Sequence, residues 1–168
     1  MRRSMEVKQL GVKQSSRRRA AAPAPKTAVS LGILPKLFGY QLRLAQQAIF
    51  ADFSESVAGQ DISPGLFGIL VLIDANPGLR QQRLAEAARL DRSSVVAVID
   101  KLEQRALVRR QAVDRRSNAL YLTAAGSALL RSLKPKVLRH EQRVIENLSP
   151  SEQRQLTRLL SRILPEKR

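Results

Sequence analysis

The chain has 168 residues, 43% apolar but only 4% aromatic, which allows one domain whose core is built mostly from Leu, Val, Ile and Ala. Thirty basic side chains against 14 acidic ones leave a net charge of +16, and that balance calls for a polyanionic partner, nucleic acid or an anionic surface. There is no cysteine and one histidine, His140, so disulfides, thiolate chemistry, Cys- or His-based metal sites and a catalytic triad drop out; no apolar run approaches the ~20 residues of a membrane span, and a cytoplasmic non-enzyme without a cofactor is expected.

Residues 1–30 carry eight basic side chains against the single acid Glu6, and Ala20-Ala21-Ala22-Pro23-Ala24-Pro25 offers no apolar stripe. A disordered basic arm is expected there, either adding nonspecific phosphate contacts or serving as a dispensable leader. From Ile33 to Val57 the pattern is helical, with Leu37, Tyr40 and Leu44 on one side and Phe38, Leu42, Ala45, Ile49 and Phe53 on another. Two apolar stripes on one helix predict two packing partners, its own domain and a second subunit. Gly59 is expected to end this helix.

Ser63-Pro64 opens the next helix, with Ser63 as the cap and Pro64 at a position that needs no amide donor. Leu66, Phe67, Ile69, Leu70 and Ile73 make that helix apolar nearly all round, so burial is expected. Asn76-Pro77-Gly78 reads as a turn. A short helix follows from Arg80 to Ala88, with Leu84 and Ala87 or Ala88 facing inward and Arg89-Leu90 turning the chain.

Asp91 stands where an N-cap belongs, ahead of a helix predicted over Arg92 to Ala106. Val95, Val98, Ile99, Leu102 and Ala106 form its expected buried side, and Ser93, Val96, Ala97, Asp100 and Gln104 the opposite one. The first half of the outward side is small and uncharged apart from Arg92. Such a face can approach base edges closely: Ser93 and Ser94 can hydrogen-bond bases or phosphates, and Val96 can touch a thymine methyl. The helix N-terminus itself favours a phosphate. Arg80 and Gln81, at the start of the preceding helix, and Ala97 complete the candidate DNA contacts on the helix pair. Asp100 and Glu103 come later and read as solvated charges. The same pattern also fits an ordinary solvated face with a serine cap.

After Leu107 the period becomes that of strands, Leu107 to Arg110 and Ala119 to Leu122, around Asp114-Arg115-Arg116-Ser117-Asn118. Arg115 and Arg116 at a hairpin tip suit the minor groove, and Asp114 is placed to hold Arg116 by a fork-type pair. Helix, tight turn, second helix and basic hairpin together read as a winged helix-turn-helix. Thr123 then opens a long helix to about Asn147 that Pro135 is expected to kink. Ser149-Pro150-Ser151-Glu152 is a capping box for a last helix carrying Leu156, Leu159, Leu160, Ile163 and Leu164. That stripe needs a partner, and the first helix has a face to spare.

On these residues the chain from about Ile33 to Leu164 resembles the MarR-type transcriptional regulators. The resemblance rests on the helix pair Leu84 to Ala106, on Leu102-Glu103-Gln104-Arg105-Ala106-Leu107-Val108-Arg109-Arg110, and on Asp114-Arg115-Arg116 followed, after five intervening residues, by Leu122-Thr123-Ala124-Ala125-Gly126. It implies first and last helices interlocked between two subunits, and release from DNA by a small aromatic or phenolic acid; a larger ligand such as its CoA thioester would suit a basic cleft. The effector would sit between the dimer region and the DNA-binding lobe, where Phe38, Tyr40, Arg43, Phe53 and Phe67 are candidates to line a cleft or are plain core residues.

The expected fold is mainly α with a small β-hairpin wing: a winged helix-turn-helix over residues 63–123 and a helical dimerisation region from residues 31–62 and 124–168. The expected function is a homodimeric, ligand-responsive repressor on a palindromic operator in bacterial or archaeal cytosol. Its partners are double-stranded DNA, a second copy and a small-molecule effector, without a membrane. The charge also leaves open a nonspecific architectural or RNA-binding protein. His140 is expected to pack or to lie on the surface.

Overall fold

The computed structural model describes residues 29–114 and 117–164. Most of the basic arm, and Arg115 and Arg116 of the wing, lie outside the described residues. Pro35 starts a short 3-10 turn at Leu34–Lys36, and Leu37 is extended. The predicted helix from Ile33 is therefore shortened to α1, Phe38–Ser56, capped by Val57 while Gly59 sits in the following turn at φ +80°. The long helix α2, Pro64–Ala75, begins as predicted, with the hydroxyl of Ser63 accepting from the amide of Leu66.

A strand absent from the predicted order comes next. β1, Leu79–Arg80, is too short to show a period, yet it pairs with the wing. The sheet is antiparallel with three strands in the order β1-β3-β2, rather than a two-stranded hairpin. β2, Val108–Asp114, and β3, Ser117–Leu122, run further towards the tip than predicted, with an irregularity between Ala112 and Asp114. Between β1 and β2 lie α3, Gln81–Ala88, and α4, Arg92–Gln104.

α4 stops two residues before the predicted end. Ala106 is exposed with φ +53°, so it does not belong to the buried side. The amide of Leu107 donates to Leu102 and that of Ala106 to Glu103, the paired bonds of a Schellman cap. α5, Ala124–Val144, runs through Pro135 without a break and ends before the predicted Asn147. α6, Pro150–Ile163, carries the predicted capping box between Ser149 and Glu152.

The core is one cluster. Leu70, Ile73, Leu84, Val95, Ile99, Leu102, Leu120, Leu130 and Leu133 are all almost wholly buried, and each such side chain contributes about 2 kcal/mol. It joins α2 through α5 and the sheet. α1 enters it only through its last turns, at Phe53 and Val57, and α6 buries no residue. Leu37, Phe38, Leu42, Leu44 and Phe50 near α1, and Leu156, Leu159, Leu160 and Ile163 of α6, stay exposed in the single chain.

His140 is wholly buried between α5 and α1. Its Nδ1 lies 2.5 Å from the carboxylate of Asp52, and its ring meets Phe53 edge-on at 5.5 Å.

Candidate nucleic-acid interface

The turn that aims α4 is built from two local devices. Arg89 takes the left-handed conformation at φ +54°, and the amides of Arg89 and Leu90 donate to Glu86 and Ala85. α3 therefore ends in the same Schellman arrangement as α4. Asp91 then caps α4 and does more than the expected capping bond. Its carboxylate accepts from the amide of Ser94 at 2.9 Å, the hydroxyl of Ser93 at 2.5 Å and the hydroxyl of Ser94 at 2.6 Å. These bonds, the Ser93 hydroxyl foremost and Ser94 second, hold the Asp91 carboxyl well below the usual carboxylate range.

Two consequences depart from the sequence reading. The α4 N-terminus already faces an ionised carboxylate, so a phosphate placed there would meet like charge. The hydrogens of both serine hydroxyls are committed to Asp91, which leaves their oxygens free as acceptors.

The outward face of α4 is as the helical period predicts: Arg92, Ser93, Val96 and Ala97 are exposed. An open concavity of about 520 Å³ gathers Arg80, Gln81, Gln82, Arg92, Val96 and Asn118 around it. β1 and the start of α3 supply Arg80 and Gln81, α4 supplies Arg92 and Val96, and β3 supplies Asn118. Asn118 was not among the sequence candidates. Its position just past the wing tip, on the strand that pairs with β1, is a relationship that only the three-stranded sheet creates.

Asp100 and Glu103 are not free solvated charges. Arg110 on β2 places one guanidinium nitrogen 2.6 Å from Glu103 and the other 2.5 Å from Asp100, and its amide donates to Glu103 at 2.8 Å. This clasp ties the reading helix to the root of the wing. An acidic pair one helical turn apart, followed by a strand opening Arg109-Arg110, was the available signal. Beside it, Arg109 lies 4.4 Å over the ring of Tyr121. A β-carbon on Gly78, which has φ +83°, would stand 3.1 Å from the Tyr121 hydroxyl, and the Gly78 amide donates to the carbonyl of Leu120 at 3.0 Å, so the turn before β1 is seated on the wing.

Asp114 ends β2, and the expected Asp114–Arg116 pair lies outside the described residues. The five proposed effector-lining residues are not brought together. Phe53 and Phe67 meet edge-on at 6.2 Å against the core. Phe38 and Tyr40 stand at the other end of α1, about 20 Å or more from Phe53 along the helix at roughly 1.5 Å per residue. There Arg43 stacks 5.0 Å over Tyr40. Among the described residues no acidic or imidazole cluster is arranged to hold a metal ion, and no helix is long and apolar enough to cross a membrane.

The family model described as "MarR family" matches residues 62–117, the span from the last residues before α2 to the start of β3. A putative transcriptional regulatory protein for the hcr operon of Thauera aromatica is 38% identical over 128 residues, covering 74% of this chain and 77% of that protein. The repressor CouR, solved on a 23-mer DNA duplex, superposes with a TM-score of 0.73 at 38% identity, over 82% of this chain and 99% of its own. CouR bound to p-coumaroyl-CoA gives a TM-score of 0.77 at 36% identity, over 83% and 99%. PcaV of Streptomyces coelicolor, solved with its natural ligand, gives 0.71 at 28% identity, over 81% and 95%.

Proposed function

The chain belongs to the MarR family of transcriptional regulators, DNA-binding proteins rather than enzymes, and we propose that it acts as a homodimeric repressor whose two copies of α4 read a palindromic operator. The observation that carries this reading is the concavity that collects Arg80, Gln81, Arg92 and Val96 on one face with Asn118 of the wing. That face combines the cations Arg80 and Arg92 with the apolar Ala85, Val95 and Val96. α4 enters the major groove with Arg92, Ser93, Ser94, Val96 and Ala97 towards the bases, while Arg80 and Gln81 hold the backbone. Asp114, Arg115 and Arg116 of the wing follow the neighbouring minor groove. With their hydrogens spent on Asp91, Ser93 and Ser94 accept from the amino groups of adenine or cytosine.

The reading unit spans residues 63–123, and residues 31–62 and 124–168 join two copies. The uncovered apolar side chains of α1 and α6 support that division, because a stripe such as Leu156, Leu159, Leu160 and Ile163 is costly to leave in water. A two-fold dimer sets the two reading helices about 34 Å apart, one turn of DNA. The effector proposed is an aromatic acid or its CoA thioester; CouR, 36% identical, is bound to p-coumaroyl-CoA.

Selection of duplexes from a random pool by the full chain, followed by footprinting against competitor DNA, tests this. A protected palindrome, bound by a dimer and vacated on adding p-coumaroyl-CoA or p-coumarate, is the expected result. Uniform coating with a steep salt dependence would instead make the chain a nonspecific architectural protein.

A further inference from the structure

Arg105, the residue that ends α4, does not face the concavity. Its guanidinium turns to the corner between α1 and α2, where one nitrogen donates to the carbonyl of Asp61 at 2.7 Å and the other to that of Gln60 at 2.8 Å. The partners are more than forty residues away in sequence. The corner needs such a hold. Gly59 and Asp61 both have positive φ there, at +80° and +45°, and the second is strained for a residue with a β-carbon. The Asp61 carboxylate adds weaker ion pairs at 3.6 Å to Arg105 and 3.7 Å to Lys101, another residue of α4.

We infer that Arg105 is a positioning residue for sequence-specific DNA recognition: its fork on two successive carbonyls fixes the offset of the reading helix from the end of α1. Arg110 holds the same helix to the wing, so α4 is clamped from two sides by two arginines. The Arg105 clamp, with the weaker Lys101 pair beside it, runs to the corner that follows α1, the helix whose other end carries the uncovered apolar face. A guanidinium suits the site because its planar fork presents donors to two acceptors in a fixed geometry, whereas the three donors of an ammonium turn freely on a flexible stem. A base-reading helix must be held closely for its contacts to count, whereas backbone attraction tolerates small displacements.

The inference rests on the reading of α4 as the sequence-reading helix, and the experiment separates the two. The full chain and its Arg105→Ala and Arg105→Lys variants are titrated against a duplex selected by the unmodified chain from a random pool, and against a random duplex of equal length, at several salt concentrations. For both variants, affinity for the selected duplex is expected to fall about tenfold or more, while affinity for the random duplex stays within about twofold and the salt slope is unchanged. A lower folded fraction would reduce both affinities by the same factor, so the ratio reports positioning alone. Full rescue by Lys, an equal loss on both duplexes, a salt slope reduced by about one, or no loss at all overturns the inference. An unmodified chain that selects no sequence overturns the reading of α4 and the inference with it.

Discussion

The backbone of Gly126 lies directly against the carbonyl oxygen of Leu107, so close that a β-carbon on Gly126 would stand inside that oxygen. The contact explains the Leu122-Thr123-Ala124-Ala125-Gly126 motif. Thr123 caps α5 by accepting from the amide of Gly126 and donates its own hydroxyl to the carbonyl of Ala106 at 2.6 Å. The first turn of α5 is thereby pressed onto the segment joining α4 to the wing. Gly126→Ala is expected to cost about 3 kcal/mol, because backbone atoms on both sides must move. Urea unfolding followed by circular dichroism checks it; an unchanged midpoint would contradict the contact.

Ala106 presents the opposite opportunity. It holds a left-handed position in the Schellman cap of α4, where glycine is the usual residue and a β-carbon is strained. The side chain is exposed, so removing it sacrifices no core packing. Ala106→Gly is expected to stabilise the chain by about 0.5–1 kcal/mol after the entropy that glycine adds to the unfolded state. The shift should appear as a raised urea midpoint at constant slope, with DNA affinity unaltered.

These two positions mark what was legible in the sequence. Features fixed within a few residues could be read directly: the caps at Ser63, Asp91, Thr123 and Ser149, and the faces of α4 that bury Val95 and Ile99 while exposing Val96. Features made by distant residues could not. β1 is two residues long and exists only because β3 pairs with it. The partner of Asp100 and Glu103 is on a strand, that of Arg105 is in a corner, and that of His140 is on α1. Residue type alone does not say which aromatic side chains share a cleft: in the single chain Phe53 and Phe67 meet each other, while Phe38 and Tyr40 lie at the far end of α1.

The acid limb of the stability profile should carry the signature of Asp91 and Asp52. The Ser93 and Ser94 hydroxyls hold the Asp91 carboxyl down, and His140 first and Arg143 second do so for Asp52, both from an ordinary value of 3.8. A carboxyl that releases its proton more readily when folded stabilises the fold above its unfolded pKa, and that stabilisation is lost as pH falls through the folded value. Asp91→Asn and Asp52→Asn should therefore lower the thermal midpoint by a few degrees at pH 7. The gap to the unmodified chain should narrow progressively below about pH 4. A gap that widens in acid would contradict both assignments.

Removing Arg110 should harm DNA binding by a route different from the loss of a phosphate contact. Its guanidinium is spent on Asp100 and Glu103 and its side chain is largely covered, so it offers no free charge to DNA. Arg110→Ala leaves two carboxylates without their counterion on the helix that approaches DNA, and it frees the wing root from α4. Affinity for a selected duplex is expected to fall at least about tenfold, with part of the loss regained at higher salt relative to the unmodified chain, because the exposed carboxylates are screened. Glu103→Gln in the same background should recover part of the binding by deleting one of those charges. The pair is partly exposed, so a double-mutant cycle on folding stability should give a coupling of only about 0.5–1 kcal/mol between Arg110 and Glu103. Coupling and rescue separate the roles: a contact arginine would show no coupling to Glu103 and no recovery from Glu103→Gln, whereas the clasp predicts both.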